Sequence, residues 1–173
     1  MIKYTDAKVV MAEVPDEITL AINISNCPCQ CKGCHSSYLA EDIGKPLVGM
    51  VLRKMIEEQS GITCVAFMGG DSSPESVNNL AEYLKTWHDG KIDKLKIAWY
   101  SGRQELSPKI DLKNFDYIKL GPYIEELGPL DSKTTNQRFY KVDKLSPEET
   151  PTSVEDWVLL DETHKFWKNR GCN

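Results

Sequence analysis

The amino-acid sequence predicts an α/β fold whose sheet is mostly parallel, and three observations predict it. Short strand-like runs end in glycine, and amphipathic runs of helix length follow them. The order strand, glycine-rich end, helix, strand also repeats along the chain. Parallel strands need crossovers between them, which such helices supply. In sheets of this kind ligands bind beyond the carboxyl ends of the strands. The loops after the strands are therefore where chemistry is expected.

Each element has its own warrant. Glu17 to Ile24 alternates, with Ile18, Leu20, Ile22 and Ile24 on one face, as in a strand. A cysteine-rich loop follows at once. Leu47 to Glu58 reads as a helix. Leu47, Met50, Val51, Lys54, Met55 and Glu58 recur at three- and four-residue spacing, giving one apolar stripe and one wet face. Gly61 supplies a stop. Cys64 to Met68 is continuously apolar, as in a strand buried on both faces, and Gly69-Gly70-Asp71 ends it. Ser73 is placed to cap a helix with Pro74 at its first position. Val77, Leu80, Ala81, Leu84 and Trp87 form that helix's stripe. Leu95 to Tyr100 is a strand closed by Ser101-Gly102. Tyr117 to Leu120 is another, ending at Gly121-Pro122, and Arg138 to Val142 reads as a fifth. The cysteine loop and these three glycine-bearing ends would line one rim. No internal repeat or low-complexity segment is visible.

Composition narrows the function. A chain of 173 residues, 40% apolar, suits one domain with a real core. Its apolar runs fall far short of the roughly 18 residues needed to span a bilayer, so no membrane partner is expected. The segment Met1-Ile-Lys-Tyr-Thr-Asp6 lacks the apolar stretch of a signal peptide, and the chain is read as cytoplasmic. Lys and Arg are outnumbered 21 to 26, which argues against a nucleic-acid binder. Residues 145–173 hold six acidic and three basic residues, −3 of the net −5, and leave −2 for residues 1–144. The pattern changes there, so residues 1–144 are read as the main domain and 145–173 as an acidic C-terminal extension. Trp157, Phe166 and Trp167 give that extension one short ordered element.

The segment Cys27-Pro-Cys29-Gln-Cys31-Lys-Gly-Cys34-His35 concentrates four of the six cysteines in eight residues. In a reduced compartment such crowding points to metal or redox chemistry, not to disulfides. Three arrangements compete. A structural zinc site needs a second ligand pair some distance away, and Cys64 stands alone in a predicted buried strand. A four-cysteine iron–sulfur carrier needs Cys29 as a ligand. In an extended loop, however, alternate residues point opposite ways. Taking Cys27, Cys31 and Cys34 alone gives Cys-x3-Cys-x2-Cys. Three thiolates would then hold three irons of a 4Fe–4S cube and leave the fourth open to a ligand.

That spacing, placed after the first strand of an apparent α/β domain, resembles the radical S-adenosylmethionine family. Gly69-Gly70-Asp71 resembles the family's Gly-Gly-Glu, with Asp in place of Glu. The short chain, Trp99-Tyr100-Ser101-Gly102, Leu120-Gly-Pro-Tyr123, Gly128-Pro-Leu130 and Thr134-Thr-Asn-Gln-Arg138 narrow the likeness. They resemble the glycyl-radical-enzyme activases that serve anaerobic ribonucleoside-triphosphate reductase, over about residues 15–143.

The resemblance implies a partial β/α barrel, a 4Fe–4S cluster on Cys27, Cys31 and Cys34, and S-adenosylmethionine at the open iron. It implies cofactor contacts from Gly33, Cys34, His35, Gly69, Gly70 and Asp71. It also implies two protein partners: the large glycyl-radical subunit, and an electron donor such as flavodoxin or ferredoxin. The chemistry would belong to the cluster and cofactor, so no side chain is assigned as a catalytic acid or base. Two other functions remain open on the residues: a radical enzyme acting on a small molecule, and a non-enzymatic iron–sulfur or zinc module. Cys29 and the extension lie outside the likeness.

Overall fold

A computed structural model describes residues 1–87, 95–145 and 157–167. Among these residues the chain forms eight strands and two α-helices. In order they are β1 (Lys3–Val10), β2 (Thr19–Ile24), β3 (Lys45–Pro46), α1 (Gly49–Glu57), β4 (Cys64–Met68), α2 (Pro74–Thr86), β5 (Lys96–Tyr100), β6 (Tyr117–Leu120), β7 (Arg138–Lys144) and β8 (Trp157–Asp161). All eight strands join one sheet in the order β3-β1-β2-β4-β5-β6-β7-β8.

The expected mostly parallel sheet of a partial barrel is not what forms. The pairings β2–β4, β4–β5 and β5–β6 are parallel. Those of β1 with β2 and β3, of β6 with β7 and of β7 with β8 are antiparallel. Four antiparallel pairings against three parallel ones, with only two helices, make this a mixed sheet. The reason lies in the connections. Only α1 and α2 serve as helical crossovers. The link from β5 to β6 contains a single 3-10 turn, Leu112–Asn114. After Gly121-Pro122 no helix carries the chain back, so β7 returns alongside β6 in the opposite sense. β1 was not foreseen because Lys3-Tyr-Thr-Asp-Ala-Lys-Val-Val10 is polar and only partly buried.

The central strands follow the expected pattern. Leu20, Ile22, Ile24, Val65, Phe67, Ile97, Trp99, Ile118 and Leu120 project from one face and are buried against the two helices. Each such side chain contributes about 1.5–3 kcal/mol by leaving water. α2 meets them through Val77, Leu80, Ala81 and Leu84, as its spacing predicts. α1 is rotated from expectation. Leu52 and Ile56 are its buried residues, and Met50 is 79% exposed. Its apolar arc is wide, and contact with the sheet selected the Leu52 side.

The opposite face carries Cys64, Ala66, Ala98, Tyr117 and Phe139. The small residues leave room for the loop after β1 to lie across it. Val14 is fully buried there, and the Tyr100 hydroxyl donates to the Glu13 carbonyl oxygen. Phe166, in the 3-10 turn Thr163–Phe166, packs edge-on against Phe139 at 4.9 Å between ring centres. Residues 157–161 of the acidic extension pair with β7 through the register Tyr140 to Asp161.

Candidate metal centre

The cysteine loop leaves the carboxyl end of β2 and is closed at its base by a zipper of hydrogen bonds. Cys27 N–H donates to Leu39 O (2.9 Å), Asn26 N–H to Glu41 O (2.9 Å), and the Ser25 hydroxyl to Ile43 O (2.5 Å). Asn26 and Gln30 both sit in the left-handed region, at φ 59° and 43°. The loop is therefore a chain of turns and not extended backbone, so the alternation argument that would turn Cys29 away does not apply to it. Cys27, Cys29, Cys31 and Cys34 are all half-buried free thiols. The sulfurs of Cys27 and Cys29 lie with an Asp71 carboxylate oxygen, all within 4.8 Å of one another. Cys31 and Cys34 lie outside that group. Cys64 is fully buried in β4, away from solvent.

The predicted rim exists, and hydrogen bonds knit it together. Gly69 N–H donates to Tyr100 O, and Ser101 N–H donates to Lys119 O, each at 2.9 Å. Gly121 N–H donates to Arg103 O at 2.6 Å. Asp71 is 1% exposed and is the hub. Its carboxylate accepts from the Ser101 hydroxyl (2.6 Å) and Gly102 N–H (2.8 Å), while its own carbonyl accepts from the Arg103 guanidinium (2.8 Å). It does not cap α2. Ser73 makes no side-chain cap either, because its hydroxyl pairs with that of Ser76.

The glycines are demanded by backbone geometry. Gly69 and Gly70 have φ 103° and 87°, and a Cβ on Gly70 would lie 2.5 Å from Val77 Cγ2. The carbonyls of both glycines have protein donors: Trp99 Nε1 on Gly69 and Ser73 N–H on Gly70. Trp99 is a core residue. His35 is exposed, and Glu13, brought over from the β1–β2 loop, interacts with it electrostatically. Gly33 faces the Glu125 side chain from the loop after β6.

Two groups escaped sequence reasoning. Lys119 is buried, and its ammonium donates to Gly121 O (2.6 Å) and Ser101 O (3.3 Å). Burial pulls it down to about 8, against the opposing attraction of Asp71, Cys31, Cys29 and Cys34. A lysine inside the four-residue strand Tyr117-Ile-Lys-Leu120 was the available signal, since lysine is almost never fully buried without a partner. Arg103 is the second. Asn136, from the Thr134-Thr-Asn-Gln-Arg138 stretch, joins the same rim by donating to Pro122 O at 2.9 Å. Beside it Gln104, Leu120, Gly121, Arg138 and Tyr140 enclose a shallow pocket of about 240 Å³.

The donor set fits an iron–sulfur cluster. Four soft thiols share one loop. Burial, with Asp71 and Cys27 close by, pushes the Cys29 thiol up to about 12. Such crowding of would-be anions is what a positively charged metal centre relieves. The family described as a 4Fe-4S single cluster domain matches residues 18–138. No curated protein and no solved structure matches the chain.

Proposed function

The chain belongs to the 4Fe-4S single cluster domain family, and from that premise we propose that it is a radical S-adenosylmethionine activase. Its substrate would be a glycine of anaerobic ribonucleoside-triphosphate reductase. One observation carries the reading. The cysteine loop does not sit on an isolated surface, as an electron carrier's could. It faces a built rim at the carboxyl ends of three parallel strands, with Asp71 at its centre.

In this reading Cys27, Cys31 and Cys34 hold the cluster. When bound, cluster and cofactor together would supply one-electron reductive cleavage, whose product radical takes a hydrogen atom from a glycine Cα. The protein's own part is to bind, orient and exclude water. Asp71, fixed by Ser101 and Gly102, would receive the cofactor's ammonium group. The backbone at Gly33, Cys34, His35, Gly69 and Gly70 would supply the remaining contacts to the cofactor. The Lys119 ammonium offsets negative charge beneath the thiols. The partners proposed are the large glycyl-radical subunit and a flavodoxin- or ferredoxin-like electron donor, in the cytoplasm. No helix among the described residues is long and apolar enough to cross a membrane.

The test is anaerobic reconstitution with iron and sulfide, then addition of dithionite and S-adenosylmethionine. The expected product is 5′-deoxyadenosine. Mixing with the large reductase subunit should then give a glycyl radical by electron paramagnetic resonance. An intact cluster that yields no 5′-deoxyadenosine overturns the reading. 5′-Deoxyadenosine without a glycyl radical redirects it to a small-molecule substrate.

A further inference from the structure

We propose that Cys29 is an exchangeable fourth thiolate of the cluster. It closes the cluster in the absence of S-adenosylmethionine and gives way when that cofactor binds.

Three observations lead there. The Cys29 and Cys27 sulfurs lie together, and with the Asp71 carboxylate all three are within 4.8 Å of one another. A place is also kept for Cys29 on the rim. A Cβ on Gly102 would lie 2.6 Å from its sulfur and 3.1 Å from its Cβ, so glycine at 102 leaves the room in which Cys29 sits. Finally, the Cys29 thiol points at Asp71 Oδ2 at 3.9 Å, the oxygen that also accepts from Gly102 N–H at 2.8 Å. The proposed function assigns that carboxylate to the cofactor's ammonium group. Thiol and ammonium therefore compete for one place, and whichever holds it decides whether the fourth iron is open.

The exchange balances without electron transfer. On closing, Cys29 releases its proton to solvent and forms one iron–sulfur bond. On opening, that bond breaks, the thiolate takes up the proton that the cofactor's ammonium group gives up, and the amine so formed would take the vacated position with the cofactor's carboxylate. The closure rests only on the presence of the cluster. The displacement rests on the proposed function.

The experiment compares reconstituted wild type with C29A and C29S. Mild ferricyanide treatment strips an unprotected fourth iron and leaves a three-iron cluster visible by electron paramagnetic resonance. If about nine-tenths of the wild type is closed, C29A loses that iron about tenfold faster. It also binds S-adenosylmethionine about tenfold more tightly, because no closed state competes. In wild type, iodoacetamide followed by peptide mass spectrometry should find Cys29 protected without the cofactor and labelled with it.

Equal rates of iron loss in wild type and C29A overturn the closure, even if the cofactor binds and is cleaved. A C29A protein that takes up no cluster overturns the exchange, since Cys29 would then be an obligatory ligand. If the cofactor binds neither protein, the proposed function fails and the displacement fails with it, whereas unequal iron loss still supports closure.

Discussion

Cys29 and Asp71, separated by 42 residues, meet at the rim with the thiol 3.9 Å from Oδ2. The contact joins the loop after β2 to the end of β4, and the Asp71 bonds to Ser101 and Gly102 extend it to the end of β5. One buried carboxylate thus organises three strand ends.

Asp71→Asn should lower unfolding stability by about 1–3 kcal/mol, because it weakens charge-assisted hydrogen bonds from Ser101 and Gly102 in a buried setting. Urea denaturation of the cluster-free protein measures this. A change below about 0.5 kcal/mol, the range of ordinary surface substitutions, would show that the carboxylate does not organise the rim.

Gly70→Ala should cost more than about 2 kcal/mol. Its backbone lies at φ 87°, where a Cβ costs about 1–2 kcal/mol, and the new methyl would also meet Val77 Cγ2 at 2.5 Å. Gly61→Ala serves as the control. It has φ 77° but open space around the Cβ, so only the strain applies. The difference between the two variants in thermal unfolding reads the clash.

Lys119→Met preserves length but leaves the Gly121 and Ser101 carbonyls without their donor, at a cost of about 1–3 kcal/mol. It also removes a cation facing the cysteine loop. Since a nearby positive charge favours the reduced cluster, the reduction potential of the reconstituted protein should fall. Lys119→Arg should restore part of it. A titration of the cluster signal against applied potential decides between the two outcomes.

A pH profile isolates the ion pair of Glu17 with Lys96. Burial alone raises Glu17, but hydrogen bonds from Lys96, Thr63 and Tyr117 outweigh it and hold the carboxyl below its ordinary value. Hydrogen bonds to Glu17 and Tyr117 hold Lys96 above its own. The lowered carboxyl stabilises above its unfolded value, near pH 4.3, and that stability is lost as pH falls through the folded value. The raised ammonium stabilises below about pH 10.4 and is lost as pH rises. Wild type should therefore exceed Glu17→Gln by about 1 kcal/mol near neutrality, a modest figure because Lys96 is half-exposed. The gap should close towards pH 3. A constant gap would assign the effect to packing.

Loading the cluster should raise the melting temperature by about 2–4 °C for each kcal/mol of binding free energy, because a folded site binds and an unfolded chain does not. Chelation under reducing conditions should reverse the rise. Replacing Cys27, Cys31 or Cys34 by alanine should abolish iron uptake, as colorimetric iron analysis would show.

Much of this was legible along the chain. The apolar runs at Cys64–Met68 and Tyr117–Leu120 match β4 and β6 residue for residue, because a strand buried on both faces permits no polar interruption beyond a specially held lysine. The cysteine loop, Gly69-Gly70-Asp71, Ser101-Gly102 and Gly121-Pro122 do meet on one rim. That followed from four strands, β2, β4, β5 and β6, sharing a direction. Polar β1, by contrast, lacks periodic signal, and β7 reads the same whether it pairs parallel or antiparallel.

The sequence by itself determined the central strands, the two helices and the thiol-rich metal-binding loop, because those depend on periodicity, turn residues and ligand type. Only the tertiary structure decided the mixed sheet, since strand direction is set by how connections close in space. It alone placed Cys29 beside Asp71, in a loop of turns that no spacing rule reveals. It alone buried Lys119 among the strand ends, where the energy of an interior charge depends on neighbours distant in sequence.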